Sequence, residues 1–185
     1  MKPMEYSKML LKRGDCALVV IDVQERLVQA MQERESLVGN VIKLVKFAQL
    51  SHLPIVITEQ QKLGPTVPEI SSLISPLRPI TKLSFDCFKK AEFVDRIQGL
   101  GKKTLIVAGI EAHICVLQTA IHGLATHHVH VVADAISSRS LHNRDIALRR
   151  MEQAGVSVTS TETVIYEILE QAGTDLFKDV LPLVK

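Results

Sequence analysis

Short apolar runs alternate with helical patterns from one end of the chain to the other, and this alternation constrains the fold more than any other feature. "CALVVID" (16–22) is continuous, too short for a helix and rich in β-branched residues, so it reads as a buried strand. "LPIVITE" (53–59), "RPITK" (78–82), "KTLIVAG" (103–109), "HVHVVAD" (128–134) and "VSVTS" (156–160) read as further strands, with Pro54 tolerated at a strand entrance. Between them, Leu37, Val38, Val41, Ile42, Val45 and Ala48 recur at three- and four-residue steps, the mark of a helix with one buried face. "EFVDRIQGLG" predicts a short helix stopped by glycine. Helices are also expected over 113–127, 143–154 and 162–172, with a last short one in "DLFKDVLPL". The segment 60–77 carries Gly64, Pro65, Pro68 and Pro76 and reads as a long loop with room for one helical turn.

Strands that are apolar throughout, each followed by a helix, imply a mostly parallel sheet covered on both faces. Right-handed crossovers then make an α/β, doubly wound, three-layer α-β-α sandwich. A length of 185 residues, with no repeat and no low-complexity linker, fits one domain over 1–185. The hydrophobic share of 46% and charged share of 23% are ordinary for a globular protein.

Composition removes several functions. With a net charge of +2 and no Lys/Arg block longer than two, nothing favours nucleic acid. No Trp, two Tyr and five Phe leave few platforms for stacked bases. The N-terminal "MKPMEYSKMLLKRGD" holds no apolar run of leader length, and no segment approaches the ~20 apolar residues of a membrane span. Cys16, Cys87 and Cys115 are odd in number and far apart, which suits a reducing cytoplasm and argues against a disulfide framework or a CxxC metal clip.

Ligands of doubly wound sheets bind beyond the carboxyl ends of strands, where the winding reverses. The candidate positions are therefore those after Asp22, Glu59, Lys82, Gly109 and Asp134. A dinucleotide fold would need a glycine-rich turn after the first strand, but "DVQERL" stands there, and no Walker loop occurs elsewhere. Cys115 follows Gly109 by six residues, in the first turn of the expected helix, where unpaired N–H groups and the positive dipole end favour a thiolate. N–H groups from Ala112 onward can also hold an oxyanion. Taken alone, a free cysteine is more often core filler. Asp22 shifts that balance: a carboxylate ending an apolar strand is either a helix cap or a general base. In the strand order 3-2-1-4-5-6, the first and fourth strands flank the switch point and bring Asp22 towards Cys115. Lys82 ends the third strand on the same edge; it either snorkels to solvent or, beside a thiol and a carboxylate, lowers the thiol pKa and pairs with the aspartate.

These residues carry a family resemblance. "VVIDVQERL", "TEQQKLGPTVPEI", "KLSFDCF", "LIVAGIEAHICVLQTA", "VVADAISSRS" and "ALRRMEQAGVSVTSTETVIYEIL" resemble, in order, the isochorismatase-like cysteine hydrolases. The likeness spans about residues 14–172 and is nearest the isochorismatase domain-containing subgroup. It implies a six-stranded parallel sheet, an Asp-Lys-Cys triad at Asp22, Lys82 and Cys115, and a non-proline cis peptide at Glu111–Ala112 that turns the Ala112 N–H, with that of Cys115, towards the oxyanion. It further implies hydrolysis of a small amide or related acyl substrate through a thioester, with no cofactor. The alternatives are vinyl ether hydrolysis without a covalent intermediate and an oligomeric scaffold without turnover.

Two departures shape the expectation. Relatives that act on nicotinamide carry an Asp-x-His metal motif after the second strand, whereas Glu59, Gln60, Gln61 and Lys62 stand here, so no metal is expected. Many relatives have an aromatic residue where this chain has Leu27. Pocket walls are expected from loops 23–30, 60–77 and 84–88, with Gln24, Leu27 and Phe85 as candidates. His127, His128 and His130 straddle a helix end, where imidazolium complements the dipole. Asp134, Ser137, Ser138 and Arg139 are expected to brace a loop by hydrogen bonds. The helix over 114–125 is apolar nearly all round, which predicts deep packing or an interface in a homo-oligomer.

Overall fold

The computed structural model describes residues 10–185; the N-terminal residues on which the expectation of no leader chiefly rests lie outside them. Strands β1 (Cys16–Ile21), β2 (Ile55–Gln60), β3 (Ile80–Lys82), β4 (Thr104–Ile110), β5 (His128–Ser137) and β6 (Ser157–Thr159) form one six-stranded sheet in the order β3-β2-β1-β4-β5-β6. Every strand pair is parallel. The expected doubly wound architecture is therefore the one observed.

The continuous apolar strands follow from burial on both faces. Side chains alternate along a strand, so Leu18 and Val20 of β1 enter one core while Ala17, Val19 and Ile21 enter the other. β4 divides in the same way, with Ile106 and Ala108 on the first face and Leu105 and Val107 on the second. Against the first face pack α2 (Arg34–Leu50), α3 (Pro68–Ile74), α7 (Thr161–Leu169) and α8 (Asp175–Val184), through residues such as Val41, Ile70, Ile165 and Val180. A short α1 (Glu25–Val28) follows β1 on this side and contributes Val28. Against the second pack α4 (Ala91–Leu100), α5 (Leu117–Gly123) and α6 (Leu141–Ala154), through Phe93, Ile97, Leu117, Ala120, Ala147 and Met151.

Boundaries follow local chemistry where it is strong. Gly101 closes α4 in the left-handed region (φ 61°), and Ser140, Ser160 and Thr174 accept a backbone N–H at the starts of α6, α7 and α8. Three expectations change. The loop after β2 contains the two-turn α3, opened by Pro68 at its first position. The helix expected over 113–127 is instead a π-helical turn, Ala112–Val116, running into the shorter α5. β5 does not end at Asp134. Its register against β4 jumps between Val107↔Val131 and Gly109↔Ile136, and the bulge carries the strand on to Ser137.

Candidate active site

The carboxyl ends of β1, β3 and β4 meet at one edge of the sheet. Ile21 pairs with Gly109, and this register sets Asp22 beside the turn after β4. Gly109 has φ +120°, and a Cβ there would lie 2.0 Å from the Ile21 carbonyl oxygen, so only glycine lets the strands close at this point. Asp22 itself leaves β1 in the left-handed region (φ 53°), a conformation aspartate tolerates better than most residues. Its N–H donates to the Thr58 carbonyl at 3.1 Å.

Asp22 and Lys82 are fully buried and paired, with Lys82 Nζ donating to Asp22 Oδ2 at 2.6 Å. The ammonium also donates to Gln60 Oε1 at 2.9 Å and to the Ser84 carbonyl at 3.3 Å, so all three of its protons have acceptors. Burial opposes its charge, but Asp22, with smaller help from Cys87 and Cys115, outweighs this and raises its pKa above the ordinary lysine value. Lys82 is thus a fixed cation rather than the snorkelling surface residue of the alternative reading. Thr58 Oγ1 donates to the other carboxylate oxygen, Asp22 Oδ1, at 2.7 Å. A carboxylate has about four lone-pair positions, so two donors leave capacity for a third.

Cys115 lies in the π-helical turn and is 6% exposed. The turn is set by the Glu111 carbonyl, which accepts from Ile114 N at 3.1 Å and from Val116 N at 3.2 Å. Burial pushes the Cys115 thiol well up, the Asp22 charge and hydrogen-bonding contact push it further, and Lys82 only partly offsets them. The resting thiolate expected at a helix start is therefore not favoured: the neighbouring aspartate and the loss of water outweigh the lysine. What the arrangement offers is a protonated thiol next to a buried carboxylate. Cys16 and Cys87 are both buried and raised to about 11, chiefly by desolvation.

The cis peptide joins Ile110 to Glu111, one bond earlier than expected. The carboxylate of Glu111 accepts from the Arg139 N–H at 3.0 Å and from Arg139 Nε at 3.1 Å. His113 Nδ1 meets Ser138 Oγ at 2.9 Å, and Ser137 Oγ donates to the Gln32 carbonyl at 2.6 Å. Asp134 accepts from Thr161 N at 2.8 Å and from Thr161 Oγ1 at 3.0 Å. The segment after the β5 bulge is braced in the expected manner.

Of the residues expected in pocket walls, Gln24 is buried. Its amide donates to the Gln60 and Gly64 carbonyls and accepts from Gln60 N at 2.8 Å, which fixes the residue that holds Lys82. Leu27 packs half-buried against the core, and Phe85 is 52% exposed on the loop after β3. Thr58 and Gln60 were not singled out for the site from sequence; their position in the "ITEQQ" end of an apolar strand was the available signal. A surface groove of about 850 Å³ between residues 10–12 and α7 touches none of Asp22, Lys82 or Cys115. His130 lies near the start of β5, at the amino end of the sheet; burial lowers its pKa and that of His127, so both favour the neutral ring over the expected imidazolium. Among the described residues, no three His, Cys, Asp or Glu side chains converge to hold a metal, and no helix is long and apolar enough to cross a membrane.

Residues 16–163 match the isochorismatase domain. The chain is 35% identical over 177 residues to the secreted isochorismatase effector Isc1 of Phytophthora sojae, covering 91% of this chain and 83% of that protein. It is 34% identical over 180 residues to isochorismatase domain-containing protein 2 of Homo sapiens, covering 93% and 84%. Among solved structures it resembles the MAR1 ribonuclease of Caenorhabditis elegans (TM-score 0.88, 32% identity, 95% of this chain and 92% of that one). It also resembles YcaC of Pseudomonas aeruginosa with hexane-2,5-diol and covalent acrylamide (0.88, 26%, 94% and 91%). The Escherichia coli YcaC gene product, an octameric hydrolase of unknown specificity, is similar at 0.87 and 27%, over 94% and 91%. By the domain match, the length of these alignments and the shared sheet, the chain belongs to the isochorismatase family of hydrolases.

Proposed function

We propose that this protein is a cysteine-dependent hydrolase of a small amide or related acyl compound, with Asp22, Lys82 and Cys115 as its catalytic residues. The observation that carries the reading is a buried thiol beside a carboxylate whose charge is held by a fully hydrogen-bonded ammonium. As the sulfur of Cys115 bonds to the acyl carbon, Asp22 takes the thiol proton. The N–H groups of Ala112 and Cys115 would receive the developing oxyanion. Collapse breaks the C–N bond, and Asp22 passes its proton to the leaving amine. Asp22 then takes a proton from water as the water oxygen attacks the thioester; the C–S bond breaks and the proton returns to sulfur. Lys82 holds Asp22 in place through these steps by its ion pair. The covalent acrylamide in the Pseudomonas YcaC supports a nucleophile in a protein of this fold, since acrylamide bonds nucleophiles through its alkene carbon; it does not bear on the acyl substrate.

The same proposal treats residues 1–185 as one hydrolase domain without cofactor, with Gln24 bracing, and Leu27 and Phe85 lining, the approach to Cys115. It places the chain in a reducing cytoplasm, supported by three buried cysteines without a disulfide, and in a homo-oligomer, supported by the octamer of the E. coli relative. The test is incubation with a panel of small amides and intact-mass detection of an adduct on Cys115, alongside Cys115→Ala, which should abolish turnover. Iodoacetamide should label Cys115 ahead of Cys16 and Cys87; equal labelling of all three in the native protein would overturn the proposal. Vinyl ether hydrolysis is the second reading, favoured by the family name of the relatives; full activity of Cys115→Ser with no trapped thioester would select it.

A further inference from the structure

Asp22 is gripped from β2 by a single residue. The Thr58 carbonyl accepts the Asp22 N–H at 3.1 Å and the Thr58 hydroxyl donates to Oδ1 at 2.7 Å, so backbone and side chain are fixed by one partner. Thr58 is completely buried in a strand whose neighbours Val56 and Ile57 serve only the cores. A hydroxyl there needs a partner or costs free energy, and a Val would fill the same space. Behind it lies a group that the proposed chemistry does not use. Cys87 Sγ donates to Thr58 Oγ1 at 3.9 Å, and the Cys87 N–H is held by Thr119 Oγ1 at 3.0 Å. Because the Cys87 thiol stays protonated, at about 11, it supplies a donor to the threonine oxygen. The one hydroxyl proton of Thr58 is then directed to Asp22.

We infer that Thr58 is a positioning residue of this site: with Cys87 behind it, its hydroxyl holds the Asp22 carboxylate in the orientation needed to take the Cys115 proton. The inference rests on the proposed role of Asp22 as the base. Thr58 and Lys82 occupy opposite oxygens of the carboxylate, and the remaining lone pairs are left for Cys115. The titratable groups facing Asp22 are Lys82 from β3, Cys115 from the turn after β4 and Cys87 from the 3-10 turn Cys87–Lys89. Without the Thr58 hydroxyl, Oδ1 loses this donor and the carboxylate can turn about its bond to Lys82.

The test is alkylation of the native protein by iodoacetamide at neutral pH, read at Cys115 by peptide mass mapping, with a thermal melt of each variant. Thr58→Val should slow the labelling of Cys115 about tenfold, as expected for one lost hydrogen bond to a charged group, while Thr58→Ser keeps the wild-type rate. If Thr58→Val does not fold, Thr58→Ala carries the same expectation. An unchanged rate in Thr58→Val or Thr58→Ala, or an equal loss in Thr58→Ser, overturns the inference. The double variant Asp22→Asn/Lys82→Met, which removes both buried charges together, separates the two levels. If it is labelled at the wild-type rate, Asp22 is not the base and both readings fall. If it is labelled slowly while Thr58→Val keeps the wild-type rate, only the role of Thr58 falls.

Discussion

The Asp22–Lys82 pair makes a sharp prediction about stability as well as chemistry. Both side chains are fully buried, and the ammonium is bonded to Asp22, Gln60 and Ser84. Lys82→Met strands a carboxylate with only Thr58 as a fixed donor; Asp22→Asn strands an ammonium. Leaving one buried charge without its partner costs about 3–5 kcal/mol. In a chain of 185 residues, at about 2–4 °C per kcal/mol, each single variant should melt roughly 6–20 °C below wild type. The double variant removes both charges and so both desolvation costs. It should be no less stable than the milder single variant, a coupling of at least about 3 kcal/mol. Urea unfolding of the four proteins at neutral pH, with thermal melts, measures the cycle. Single-variant losses under about 1 kcal/mol that simply add would refute the reasoning, because that is how solvated surface pairs behave.

Gly109→Ala should cost about 3 kcal/mol or more, since its Cβ would meet the Ile21 backbone while adopting φ +120°; a melting temperature within a degree or two of wild type would contradict the close strand contact. Stability should also fall in alkali. Burial raises Cys16 and Cys87 from 9.0 to about 11, so each contributes stability that is whole below about pH 9 and is lost as the pH climbs through about 11. The loss amounts to as much as about 2–3 kcal/mol per thiol. Urea midpoints at successive pH values should show the decline, and a Cys16→Ala/Cys87→Ala variant should flatten it. Lys82, raised above 10.5, acts with the same sign at still higher pH, its contribution being present below that value and lost above it.

The positions of Asp22, Lys82 and Cys115 were legible because each stands at or just past the carboxyl end of an apolar run, where a polar group has no reason to be buried unless something holds it. What holds them was not. Thr58 reads as an ordinary β-branched strand residue until the β1–β2 register sets Thr58 opposite Ile21 and its hydroxyl against Asp22. Gln60 carried a signal only as the lack of a metal motif, although its side chain binds Lys82. The turn around Cys115 also escaped, because hydrogen bonds reaching back five residues, such as Val116 to Glu111, leave no distinct apolar period. Asp134 looked like a strand end because a bulge cannot be seen in a run of apolar residues.

By itself the sequence determined the layered fold, since apolar strands between amphipathic helices can be buried only in a two-sided parallel sheet. It also pointed to the sheet edge of the proposed chemistry, since the polar residues that close the strands face one end. Only the tertiary structure decided the state of the thiol. Local position at a helix start predicted a thiolate, but the charge on sulfur is set by what surrounds it: an adjacent carboxylate and the exclusion of water outweigh both the lysine and the turn. Electrostatics is a property of neighbours in space, and those neighbours, Lys82 and Asp22, stand 33 and 93 residues from Cys115 in the chain.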